Sequence, residues 1–299
     1  KLENSCLNAS GDFDKGGTGL ILILDSQSNL TLFGNRLTNT IRIENQGNIK
    51  CTNGTVSASS YLWDNKTTTG SSGVLGGSGY YSFGNVSSIE TNKDFGLIKT
   101  SGQITDLEIS GIYTVDGNSA KTIDDDSYIV GVNTSSSSDG QAMTISGSLT
   151  INAKQGTGIG ILANQLGSDD VSLKNNYSGQ IYVTAKDAFG VKVGKNAAMD
   201  PSAAGDIYSL SVGELDIEST ITSGSTQGEA TGIYAKSVKR DLTANAITVK
   251  GYTNATGIHL TEGGRNLTIS DMQVSARNAT ATGIIAARGI DTPVPTAGK

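Results

Sequence analysis

The pentapeptide Thr231-Gly232-Ile233-Tyr234-Ala235 is written twice more, as Thr256-Gly257-Ile258-His259-Leu260 and as Thr282-Gly283-Ile284-Ile285-Ala286. Its glycines are 257 − 232 = 25 and 283 − 257 = 26 residues apart. A fixed period of this size is the signature of a repeat architecture, in which one copy is too small to bury its own apolar face and must stack on the next.

Upstream the repeat continues in looser form. Each unit carries two short β runs, a polar loop and a glycine-led β run, as in Leu267-Thr268-Ile269, Met272-Gln273-Val274, the loop 275–281 and then Thr282 to Ala286. Anchor glycines are read at Gly96, Gly131, Gly158, Gly190, Gly232, Gly257 and Gly283. The intervals of 35, 27, 32, 42, 25 and 26 place the length variation in loops. The longest interval holds a projecting loop, Asn196 to Gly205.

Three runs of four or five residues joined by bends close a coil, and coils stacked at about 4.8 Å pair each strand in parallel with its counterpart. The expected fold is therefore all-β: a right-handed parallel β-helix, or β-solenoid, with three short strands per roughly 25-residue coil and an N-terminal cap. Ile233, Ile258 and Ile284 then form an inward column flanked by Ala235, Leu260 and Ala286. Each fully buried Ile contributes about 1.5–3 kcal/mol. Tyr234, His259 and Ile285 point outward. A β-sandwich array would instead show hairpin turns and antiparallel alternation, which recurrence of near-identical strands at one period disfavours.

Four segments follow. Residues 1–60 read as the cap and first coils. Residues 61–83 read as a Gly/Ser-rich loop bracketed by aromatics, residues 84–290 as the β-helix repeats, and residues 291–299, with Pro293 and Pro295, as a linker or end segment. The composition fits a narrow aliphatic core: 39 Gly, 3 Pro and 5% aromatic residues.

The net charge of −6 comes without a basic stripe, which argues against nucleic-acid binding. No apolar run approaches the roughly 20 residues of a membrane-spanning helix. The two cysteines, Cys6 and Cys51, are read either as a disulfide stapling the N-terminal end or as two buried free thiols.

The phrases Leu267-Thr268-Ile269-Ser270 and Ala281-Thr282-Gly283-Ile284-Ile285-Ala286 resemble, in repeat style, the passenger regions of Gram-negative autotransporters and related surface adhesins. The resemblance covers about residues 84–290. It implies a right-handed parallel β-helix, secreted or held at the cell surface, on the outer surface of a bacterium. Two features depart from that pattern, no translocating β-barrel being read in these residues and passengers generally avoiding cysteine, so the expectation is either a passenger fragment or a different secreted β-solenoid.

Residues that specify a reaction are scarce. His259 is the only histidine, so neither a Ser-His-Asp constellation nor a His-rich zinc site can be assembled around it. Parallel β-helices include polysaccharide lyases and glycoside hydrolases, which need carboxylates set on a shared groove. The acidic clusters Asp169-Asp170 and Asp124-Asp125-Asp126 sit among Ser, Thr and Asn and read as solvated turns. Weak calcium binding at Asp124, Asp125 and Asp126, or at Asp12 and Asp14, is the alternative. Tyr61, Trp63, Tyr80, Tyr81 and Phe83 offer a candidate contact surface for carbohydrate or protein, or else pack over the first coil.

The expected function is structural and adhesive: a surface solenoid presenting loops to carbohydrate, to host or matrix protein, or to copies of itself, with surface-layer and filament subunits included. The alternative is a polysaccharide lyase or glycoside hydrolase on the same fold. It requires acidic side chains of neighbouring coils to converge with a Lys or Arg.

Overall fold

The structure is a computed structural model. It describes residues 140–195, 201–221 and 228–288 continuously, shorter runs at 93–100, 104–117 and 128–136, the Tyr61 side chain, and elsewhere only the backbone of individual strands. The chain is all-β, and the one helical element among the described residues is a short 3-10 turn, Pro201–Ala203. Among the described residues every pairing between strands is parallel, and the single antiparallel contact is an isolated bridge, Gly194 to Ala204.

The pairing falls into three lanes. In the first, Tyr128–Thr134 pairs with the end of Ser148–Ala163, which pairs with the end of Asn175–Val193; this in turn pairs with the start of Ala230–Gly251, then Asn254–Arg265, then Thr280–Ala286. The second lane sets Leu210 beside Leu242 and Leu242 beside Leu267. The third sets Leu149, Ile181, Leu215, Ile247 and Met272 in line. The chain visits the lanes in the same order each time, so each residue lies beside its equivalent one repeat away.

The expected columns hold. Ile233 pairs with Ile258 and Ile258 with Ile284. Ile233, Ile258, Ala235 and Leu260 are fully buried, whereas Ile284, in the last described layer, is 39% exposed. The interior is one continuous cluster running from Phe95 to Leu260, built almost wholly of Ile, Val, Leu and Ala. Its corners satisfy their buried polar groups locally: the Ile104 amide donates to Gln141 Oε1 (2.7 Å), and Asn175 Nδ2 donates to the Gln141 carbonyl (2.7 Å).

The bend glycines are required by close backbone approach. A Cβ at Gly232 would lie 2.5 Å from the Gly257 carbonyl oxygen, and one at Gly257 would lie 2.5 Å from that of Gly283. The column continues upstream as Gly190, Gly160 and Gly131, each facing the next glycine's carbonyl. Two expected anchors are corrected. Gly160, not Gly158, stands in the column, because Val130 pairs with Ile159 and Val132 with Ile161. Gly96 stands one place before it, opposite Tyr61 and Val130. A methyl group at Gly96 would sit 2.3 Å from the Val130 carbonyl oxygen and 2.5 Å from the Tyr61 ring, so this glycine serves both a close backbone approach and an aromatic side chain. A second column, Gly147 and Gly179, lies at the bend between the other two lanes, where a Cβ would sit 1.9 Å from the preceding glycine's carbonyl oxygen.

The segment 61–83, expected as a loop, instead contains strands Ser60–Asn65 and Ser71–Ser82. Ser71–Ser82 pairs with strands on both sides, Thr40–Asn45 and Asn48–Cys51 on one, Ile104–Ile109 and Ile112–Asp116 on the other. Two ready-made neighbouring ladders override the weak strand preference of Gly and Ser. Within residues 1–60 the strands also pair in parallel, Cys6–Ser10 with Asn29–Phe33 and Asn29–Phe33 with Asn48–Cys51. Cys6 stands opposite Asn29, Asn29 opposite Asn48, and Cys51 is three residues further along. Two layers and three residue steps therefore separate the two cysteine backbones, more than the roughly 7 Å Cα–Cα reach of a disulfide. The cysteine side chains lie outside the described residues.

Substituting Gly232→Ala forces a methyl group against the Gly257 carbonyl and is expected to cost about 1–3 kcal/mol in urea unfolding. Thr243→Ala, at an exposed position, is expected to stay within about 0.5 kcal/mol.

Candidate functional site

Three outward columns line one face of the first lane. Layer by layer they carry Asp94, Gly96 and Lys99; Tyr128, Val130 and Asn133; Thr157, Ile159 and Leu162; Asp187, Phe189 and Lys192; Glu229, Thr231 and Tyr234; Asn254, Thr256 and His259; Thr280, Thr282 and Ile285. Outward side chains of neighbouring columns bury one another over much of this face, which is concave in that sense.

Over the early layers the concavity is filled by the protein itself. Tyr61, Val130, Ile159, Leu162 and Phe189 form a second buried cluster, separate from the interior. Of the two readings for Tyr61, contact surface or packing against the first coils, the buried one holds. Its hydroxyl donates to Asp94 Oδ2 (3.0 Å) and accepts from Asn133 Nδ2 (3.0 Å), and Lys99 Nζ lies 3.4 Å from the same carboxylate oxygen. Burial, then the Asp94 charge, pushes the Tyr61 hydroxyl well above the usual tyrosine range, and the same two causes raise Tyr128 to about 12. These phenols stay protonated and act as hydrogen-bond donors to the carboxylate.

Tyr234 was expected to be exposed. It does lie outside the interior cluster, in register with Lys192 and His259, yet it is buried. Lys192 Nζ sits 4.3 Å from the Tyr234 ring centroid and 5.3 Å from that of Phe189. Both rings hold the ammonium through their negative faces. The His259 ring meets the Tyr234 ring edge-on at 5.2 Å.

From Thr231 onward the large filling side chains give way to threonine. Glu229, Thr231, Asn254, Thr256, His259, Thr280, Thr282 and Ile285 line a cavity of about 230 Å³. Thr231, Thr256 and Thr282 are in direct register, one hydroxyl per layer. Asn254 Nδ2 donates to Glu229 Oε1 (3.0 Å) along the neighbouring column. Asp187 holds the mouth of the loop before it, accepting from the Gly228 and Glu229 amides (2.9 and 3.0 Å). Burial, then the Lys192 charge, lowers the His259 pKa below its ordinary 6.5, and the Glu229 carboxylate opposes them. These effects together favour the neutral imidazole.

A second cavity of about 430 Å³ lies at another bend, lined by Ser237, Val238, Lys239, Glu262, Gly263, Gly264, Arg265 and Arg288. Lys239 faces Asp206 (3.5 Å) and Glu262 faces Lys236 (3.6 Å), and Arg265 and Arg288 add two further positive charges to the lining.

Of the other expected sites, Asp169-Asp170 is a solvated turn. The Ser172 amide donates to Asp170 Oδ1 (2.9 Å), and hydrogen bonding from Ser172 lowers the Asp170 carboxyl. Arg240 donates to the Ser168 and Asp169 carbonyls and locks this turn. Asp124, Asp125 and Asp126 lie outside the described residues, as do Asp12, Asp14, residues 196–200 of the projecting loop, and the side chains of Trp63, Tyr80, Tyr81 and Phe83. Among the described residues no group of three or more His, Cys, Asp and Glu side chains is placed to hold a metal ion, and no helix is long and apolar enough to cross a membrane.

The threonine groove was only partly legible. The Thr-Gly-Ile repeat displayed Thr231, Thr256 and Thr282, but their value lies in what they replace, namely Phe189, Ile159 and Val130 in the same column. That contrast needs the register. No family model, no curated protein and no solved structure matches the chain.

The low pKa of His259 has a signed consequence. A depressed folded-state value contributes stability that is fully present above the unfolded value near 6.5 and is lost as pH falls through the folded value. NMR titration of this single histidine is expected to give a midpoint below 6.5. Glu229→Gln removes the carboxylate that supports the charged imidazole and is expected to lower it further.

Proposed function

We propose that the chain is a right-handed parallel β-helix with three strands per coil, acting as an extracellular or cell-surface scaffold. It holds surface grooves and loops at fixed spacing for attachment to carbohydrate, to host or matrix protein, or to copies of itself. The observation that carries this reading is the unbroken parallel pairing of equivalent residues from layer to layer over one continuous aliphatic interior. Such a stack is stiff along its axis and lets its outward positions differ from layer to layer.

The outward chemistry favours binding over hydrolysis. In the third lane Glu214, Asp216 and Glu218 alternate outward along one strand. The strand before it offers Gln180, Tyr182 and Thr184, and the strand after it Ala246, Thr248 and Lys250. The carboxylates therefore come from one layer and are separated by strand steps, not gathered from neighbouring coils onto one groove. Glu218 is balanced by Lys250 (3.7 Å) and Glu214 accepts from Gln180 (2.8 Å). The groove of the first lane carries the single carboxylate Glu229, held by Asn254. Asp187, one layer before Glu229 in the same column, is engaged by the Gly228 and Glu229 amides, and at the second cavity Asp206 and Glu262 are each paired with a lysine, so none of these faces presents an unengaged facing pair of carboxylates of the kind glycoside hydrolysis uses.

Incubation with neutral and acidic polysaccharides is expected to release neither reducing ends nor unsaturated sugars, while the protein is retained on immobilised glycan or matrix surfaces or self-associates in sedimentation. Steady release of either sugar product would overturn the scaffold reading in favour of the lyase or hydrolase.

A further inference from the structure

We infer that the groove over the last three layers, formed by Thr231, Thr256, Thr282, Asn254 and His259 and walled by Ile285, binds a neutral saccharide. This deepens the scaffold reading and rests on it.

The first ground is a change in how one concave face is used. Over earlier layers the face is packed solid by Tyr61, Val130, Ile159, Leu162 and Phe189. The same columns continue without a shift of register into Thr231, Thr256 and Thr282. Shorter side chains leave a cavity of about 230 Å³ where the protein's own filler stops. Thr231, Thr256 and Thr282 all line this cavity, so the change opens space and introduces hydrogen-bonding groups together.

The second ground is the kind of hydrogen bonding offered. Each threonine hydroxyl both donates and accepts. Neighbouring layers are about 4.8 Å apart, which spaces the hydroxyls regularly along the groove. Asn254 spends one amide donor on Glu229 and keeps its carbonyl oxygen, and Glu229 keeps a second carboxylate oxygen. This mixed array of donors and acceptors matches the hydroxyls of a sugar, each of which also does both. Ile285, 37% exposed, and the half-buried His259 ring supply a patch for the C–H face of a pyranose.

The third ground is charge. The lining contains one carboxylate and no cation. An acidic sugar, phosphate or sulfate would meet Glu229 without a lining counter-charge. A peptide is disfavoured for another reason. Within the groove the Asn254–Arg265 backbone is used in the parallel ladders above and below, so a strand could be added only beyond Thr280–Ala286, past the last groove-lining layer and not across the groove.

His259 makes the test direct, because the chain has one histidine and its ring resonance needs no assignment. The full chain is titrated with cellotetraose, chitotetraose and maltotetraose, with a galacturonate tetramer as the acidic comparison and a serine-threonine peptide as the peptide comparison. At least one neutral tetrasaccharide is expected to shift the His259 ring resonance saturably. The galacturonate tetramer is expected to bind at least about tenfold more weakly. Thr256→Val and Thr282→Val are each expected to weaken the neutral sugar about tenfold, the size of one lost hydrogen bond, with the unfolding midpoint little changed. Thr282→Val, in the last described layer, probes the groove without touching the buried stack. The inference is overturned if no neutral sugar moves the resonance, if neither substitution weakens binding, or if the acidic sugar or the peptide binds more tightly. A silent groove in a protein that still adheres overturns this inference alone; release of sugar products overturns the scaffold reading whatever the groove does.

Discussion

A parallel strand pair places each residue beside its own equivalent one repeat away. Side chains of the same kind then stack into columns, and the spacing of about 4.8 Å leaves no slack at the bends. This closeness is the constraint on which the structure depends. At the main bend the carbonyl of one glycine approaches the next so nearly that a methyl group has no place, from Gly131 through Gly257. The aliphatic interior follows from the same geometry, since Ile, Val and Leu columns fill a narrow tube with β-branched and γ-branched side chains that suit strands.

Because columns run the length of the stack, one position can change character from layer to layer without disturbing the fold. The first-lane face does this. It begins as a buried network around Tyr61, Asp94 and Asn133, continues as an apolar cluster, passes through the Lys192 and Tyr234 stack, and ends as a threonine-lined groove. Burial of Lys192 between rings also reaches the groove, since its charge helps hold His259 neutral. The packed part of the face thus sets the electrostatics of the open part.

Much of this was legible in the sequence, because a repeat with a fixed period reveals which residues are equivalent. Thr231, Thr256 and Thr282, the bend glycines and the inward Ile column all follow from aligning the copies. The looser copies gave way where a glycine had two explanations. Gly158 and Gly160 are two residues apart, and only pairing with Val130 and Val132 tells which one stands at the bend. Gly96 serves the Tyr61 ring, a contact across 35 residues that no local pattern carries. Ser71–Ser82 looked like a linker because composition reports intrinsic preference, while a strand between two ladders is held by its neighbours. Tyr234 looked exposed because outward was taken to mean wet; on this face an outward side chain can be buried by its own column.

The account stands on the register of the last layers, where the columns are most regular and the groove opens. Backbone NOEs on isotopically labelled protein test that register most directly. The account predicts contacts joining Ile233 to Ile258 and Ile258 to Ile284, in the pattern of parallel neighbours, with Thr231, Thr256 and Thr282 following in step. Contacts that instead join the ends of consecutive strands across tight turns, in the antiparallel pattern of hairpins, would contradict it.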